Sequence, residues 1–151
     1  MALTKLNSAS VIERLPVGSV LQVKSGVFAT ETQLTQTSNQ ATGISVSITP
    51  SSTSNKILVK TVFPLQIGNS GLIVCTIYRG STNLGSDSMG LGRYYHNGVT
   101  SADRNFAIQY LDSPSTTSAT TYQVYLKCSG GTHYWGVGNA SGSITAMEIK
   151  G

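Results

Sequence analysis

The feature that most constrains this chain is strict two-residue alternation. Ile44, Val46 and Ile48 point one way while Ser45, Ser47 and Thr49 point the other. Successive side chains of a strand face opposite sides, so this pattern specifies a strand buried on one face and solvated on the other. The alternation recurs. Phe106, Ile108 and Tyr110 share a face, as do Tyr122, Val124, Leu126 and Cys128, and a shorter case begins at Val20. Gly71 to Tyr78 is apolar and β-branched throughout, which suits a central strand covered on both faces. No segment carries the 3.6-residue apolar period of a helix over a useful length.

Turn chemistry punctuates these runs. Pro50 to Asn55 is rich in serine and cannot continue a ladder, so Lys56 to Phe63 reads as the hairpin partner of the preceding strand. Arg79 to Ser88 holds a short turn and a further strand. Asp112 to Thr120 is a polar loop, Gly130-Gly131 a turn into His133 to Val137, and Ser143 to Ile149 the last strand. Eight to ten short strands in 151 residues predict an all-β domain. The architecture expected is an antiparallel β-sandwich with jelly roll as the leading topology. Residues 18–151 form that sandwich. Residues 1–17 read as an extended N-terminal arm or linker, with one helical turn starting at the capping-box spacing of Ser10 and Glu13.

Serine and threonine make up about a quarter of the chain and only 11% of residues are charged. The net charge is +4, and its ten cations are scattered, so the clustered basic footprint of a nucleic-acid binder is not expected. The opening residues lack a signal-peptide apolar core, and no run approaches the ~20 apolar residues of a membrane-spanning helix. We therefore expect cytoplasmic synthesis, no nucleic-acid partner and no membrane partner.

Candidate chemistry is sparse. Cys75 and Cys128 lie in apolar runs and read as small buried hydrophobes, with a disulfide between them left open. Their spacing fits no zinc motif. The six acids are dispersed, and Gly90-Leu91-Gly92 lacks the strand-to-helix context of a phosphate loop. No catalytic, cofactor-binding or metal-binding residue is assigned, and the chain is not expected to be an enzyme. Two aromatic clusters remain: Tyr94, Tyr95 and His96 before the turn dipeptide Asn97-Gly98, and His133, Tyr134 and Trp135 after Gly130-Gly131. These six are candidate ligand or subunit contacts, because rigid rings give contact area at low entropic cost. The competing assignment is that Trp135 and at least one tyrosine plug the core.

Three stretches carry a resemblance. Ile48 to Val59, Ile77 to Gly85, and Tyr110 to Pro114 with its Ser/Thr-rich loop and the closing Met147-Glu148-Ile149 resemble segments of tail-fibre-like and decoration virion structural proteins of marine and cyanobacterial phages. The lead-in Pro16 to Val23 is similar too. The resemblance implies a non-enzymatic bacteriophage virion protein, homotrimeric, needing no cofactor, and displayed on the particle surface among other capsid or tail proteins. Such domains usually cap long fibres, whereas this chain is short, which favours a capsid decoration (cement) or short appendage protein. The alternative is a tail-fibre receptor-binding module that grips a host glycan.

Overall fold

The computed structural model describes residues 14–68, 70–98 and 101–151. Most of the expected arm, including the turn at Ser10 to Glu13, lies outside the described residues. The strands are β1 (Val20–Phe28), β2 (Thr32–Leu34), β3 (Gln40–Ile48), β4 (Lys56–Ile67), β5 (Gly71–Arg79), β6 (Thr82–Asn83), β7 (Gly92–His96), β8 (Ala102–Asp112), β9 (Thr120–Cys128), β10 (His133–Trp135) and β11 (Gly142–Ile149).

Two antiparallel sheets face each other. In sheet A, β11 joins β1 to β4, β8 pairs the other side of β4, and the short β2 and β10 extend the sheet past the end of β11. Sheet B runs β3, β9, β5, with β7 and β6 both on the far side of β5. Taking the eight principal strands in chain order, the sheets read first-eighth-third-sixth and second-seventh-fourth-fifth. That order is two interlocked Greek keys, the jelly roll. The alternating sequence explains it, since every strand has one apolar side to bury and only a second sheet can cover it.

One expectation is corrected. β3 and β4 are not hairpin partners: β3 pairs β9 in sheet B, and β4 pairs β11, β8 and β10 in sheet A. The Pro50 to Asn55 loop therefore crosses between sheets. Local turn chemistry marks where a strand stops, not which strand comes next to it.

The core is filled from both inner faces. Ile44, Ile48, Ile57, Val59, Phe63, Ile73, Cys75, Ile77, Tyr122, Val124, Leu126 and Trp135 are all enclosed. Pro64, which has no N–H, sits where pairing of β4 passes from β11 (ending at Val62) to β10 (starting at Leu65), so no ladder bond is forfeited on that side. β5 is covered on both faces as its sequence requires. The segment between β6 and β7 folds back over its outer side, where Gly90 adopts φ 61° and any Cβ would overlap the Cys75 carbonyl. Lys127 Nζ donates to the Asp87 carbonyl and holds that segment down. Cys75 and Cys128 are buried free thiols.

Candidate functional site

The six candidate contacts lie on strands, not on exposed loops. β7 carries Tyr94, Tyr95 and His96, and β10 carries His133, Tyr134 and Trp135. The fold brings the clusters to the same end of the sandwich. His96 pairs with Gly71, and an added Cβ at Gly71 would lie 3.3 Å from His133 Nε2.

Their side chains then diverge. Trp135 is 2% exposed and is among the largest fully buried groups, so it is the core plug. His133 is wholly buried and structurally used. Its Nδ1 accepts from the Gly68 N–H at 3.2 Å, and its Nε2 lies 2.8 Å from the Gly130 carbonyl. That pair of partners selects the neutral tautomer with the proton on Nε2. The ring thus ties the β4–β5 loop to the β9–β10 turn. Neither side chain presents a surface to a partner. Tyr94 packs against the core and takes a hydrogen bond from Arg104 Nε at 3.2 Å, with the guanidinium 5.9 Å above its ring. His96 and Tyr134 are half-buried, and Tyr95 is 66% exposed on the outer side of sheet B. Of the six, Tyr95 has the side chain best placed to meet another molecule.

The outer face of sheet A carries a stronger surface. Register places Val23, Met147, Leu58 and Leu111 in one row across β1, β11, β4 and β8. Two positions on, Ser25, Thr145, Lys60 and Gln109 form the next row, and Val27, Ser143, Val62 and Ala107 the one after. Val20, Val23, Val27, Val62 and Leu111 are five of the eight large hydrophobics exposed among the described residues, and all five lie here. Val20 stands in a further row with Ile149 and Lys56, and across the four rows no acid appears and Lys56 and Lys60 are the charges. Shallow grooves run on either side of Lys60 and Val62, one toward Ala107 and Gln109, the other toward Thr145 and Met147. Sheet B turns Ser45, Ser47, Thr121, Gln123 and Lys127 outward, together with Tyr95 and the ring pair Tyr78 and Tyr125. One apolar row and one mostly apolar row, separated by the polar row of Ser25, Thr145, Lys60 and Gln109, gather these hydrophobics on one side, which makes that side a candidate contact surface. The signal was present in β4, where Leu58 and Val62 stand at positions whose strand-mates are Lys56 and Lys60. Reading the inward set alone passes over it.

Two polar clusters brace the opposite end. The Glu148 carboxylate, fully buried, accepts from the Ser51 N–H at 2.6 Å, the Ser51 hydroxyl at 2.8 Å, Asn55 Nδ2 at 2.6 Å and Gln22 Nε2 at 2.6 Å. Burial alone would raise its pKa, but the donors from Asn55, Gln22 and Ser51 prevail and hold it below the ordinary carboxylate value. Asp112, 5% exposed, accepts from Arg79 Nη1 at 2.8 and 2.9 Å and from the Tyr122 hydroxyl at 2.7 Å. Burial, and then the bond to Asp112, push the Tyr122 phenol far above its usual range. Both clusters are saturated with internal partners and face the core, which suits bracing. Among the described residues no three His, Cys, Asp or Glu side chains come together as metal ligands would, and no helix is long and apolar enough to cross a membrane.

No family model matches the chain, and no curated protein matches it. Solved structures similar to it include forms of the VP2 protein of infectious bursal disease virus. The D431N mutant in T=1 particles is 13% identical with a TM-score of 0.45, over 86% of this chain and 37% of that one. The VP2 subviral particle gives 16%, 0.42, 86% and 33%, and the T13 viral particle 12%, 0.39, 87% and 38%. The chain spans between a third and two fifths of those VP2 chains.

Proposed function

We propose that this chain is a non-enzymatic structural protein of a bacteriophage virion, displayed on the particle surface after synthesis in the host cytoplasm. In its finer form the reading is a capsid decoration (cement) or short appendage protein that assembles as a homotrimer and binds other virion proteins. The observation that carries it is the gathering of exposed hydrophobics on the outer face of sheet A. Five of the eight exposed large hydrophobics among the described residues lie on that face, on β1, β4 and β8, whereas the strands of sheet B expose one, Tyr95. A jelly roll standing against a particle would cover those hydrophobics. The three stretches that resemble phage virion proteins point the same way.

A second reading, a tail-fibre module that recognises host surface polysaccharide, is favoured only by Tyr95, an exposed ring beside Arg93 on the outer side of β7.

The test is to prepare particles lacking the protein and challenge them with heat and low salt. Under the decoration reading they break at milder conditions than complete particles, and adding the purified protein restores them. Equal robustness with and without the protein counts against it. If purified protein instead blocks adsorption to host cells, the tail-fibre reading takes its place.

A further inference from the structure

A sandwich has four sheet edges, each a row of unpaired backbone groups that invites another strand. Three edges here are blunted. β1 has a register shift between Val20 and Gln22 and carries Lys24. β3 is broken by a shift between Ala41 and Ser45, with Gly43 at φ 81°. The fourth strand position of sheet B is split between the two-residue β6 and the five-residue β7.

The edge formed by β8 is different. It pairs β4 residue for residue over eleven positions, from Ala102 opposite Ile67 to Asp112 opposite Ile57, with no shift. It contains no proline, glycine or lysine. Among the described residues no strand lies along its other side. Asn105, Ala107, Gln109 and Leu111 are exposed on its outer side. Arg104, held by Tyr94, closes one end, and Asp112, held by Arg79, closes the other. Between them the seven residues Asn105 to Leu111 carry no charge.

We propose that β8 pairs antiparallel with β8 of a second copy of this chain, about a two-fold axis near Ile108, so that sheet A continues across the boundary. A strand laid antiparallel on its own equivalent is self-complementary, which is what an isologous contact requires. Because the central run is neutral, no like charges face each other across the join. Seven paired residues supply about seven hydrogen bonds, within the ~10 ± 5 that a typical interface holds. The contact goes beyond the particle reading and is independent of it. A homotrimer built on another surface can carry this two-fold as its link to a neighbouring trimer.

The solution mass of the full chain tests it, by light scattering or sedimentation over a range of concentrations. At high concentration the mass should reach an even multiple of the 15.9 kDa chain. The double variant Ala107→Lys/Gln109→Lys sets lysines directly opposite one another across the axis, which is unfavourable between paired strands. It should halve that mass, whereas Ser45→Lys/Ser47→Lys on β3 should leave it unchanged. A wild-type mass that is an odd multiple, or one that the β8 variant does not change, overturns the proposal. If the β8 variant fails to fold, amide hydrogen exchange of the wild type decides. Protection of Asn105 to Leu111 should rise with concentration, and no rise overturns the proposal.

Discussion

The Asn55 side-chain amide donates to the Glu148 carboxylate at 2.6 Å, joining the β3–β4 crossing to the last strand across 93 residues of sequence. Ser51 binds the same oxygen and Gln22 the other, so one carboxylate fixes where the chain leaves sheet B, where it enters sheet A, and where β1 lies beside β11. Glu148→Gln keeps the size but sets an amide N–H₂ among donors. We expect a loss of about 1–3 kcal/mol, read by chemical denaturation at neutral pH.

The same carboxylate sets an acid dependence. Its folded pKa lies below the unfolded value near 4.5, so the unfolded chain takes up the proton first as pH falls. Its contribution is complete above about pH 4.5 and is lost as the pH drops through the lower folded value. Melting curves of wild type and Glu148→Gln should therefore differ most at neutral pH and converge in acid. Curves that stay parallel at all pH values would contradict this role.

Asp112 unites Arg79 and Tyr122 in the same way. Tyr122→Phe should cost about 1 kcal/mol, the usual net value of one hydrogen bond. Removing the carboxylate with Asp112→Ala strands both the Tyr122 hydroxyl and the Arg79 guanidinium, and should cost about 3 kcal/mol. Because Tyr122 resists ionisation, one of the seven tyrosines should stay protonated in strong base until the chain unfolds. Phenolate absorbance followed against far-ultraviolet dichroism checks this.

Cys75 and Cys128 are enclosed free thiols, and burial pushes the Cys75 thiol far above its ordinary range. The thiolate is the reactive form. A thiol-specific chromogenic disulfide should titrate almost nothing in the native protein and two thiols per chain in denaturant. Loss of titratable thiol without reductant would instead indicate a disulfide.

The aromatic candidates should separate by role. Trp135→Ala opens the centre of the core and should cost about 3–5 kcal/mol. Tyr95→Ala removes an exposed ring and should change stability by no more than about 0.5 kcal/mol. If Tyr95 is also a contact, its substitution weakens attachment to particles or host cells while the melting temperature stays put.

How much of this was legible depends on range. Ile44 to Ile48 and Tyr122 to Cys128 announced their strands and their inward faces because period-2 burial is written residue by residue. The three-residue β2 and β10 and the five-residue β7 are too short for a period to show. Pairing was not legible either. β3 was expected to lie beside β4 because they follow one another, but the jelly roll sends them to opposite sheets. Nothing in the Pro50 to Asn55 turn encodes that choice, which is made by contacts with β9, β11 and Glu148. The two aromatic clusters are legible in the sequence as runs of neighbouring residues. Whether a ring faced inward depended on strand parity that the flanking glycines obscured, and so His133 and Trp135 were read as possible contacts. The exposed hydrophobics on the outer face of sheet A are scattered along the sequence, three on β1 and one each on β4 and β8. They form a surface only once the register aligns them.

The central claim, that this chain is a surface component of a phage particle, is tested most directly by locating it. Purified particles would be labelled with gold-tagged antibody raised against the protein and imaged by electron microscopy. The account predicts label spread over the head, at many sites per particle. Particles that carry no label, with the protein left free in the lysate, would contradict it.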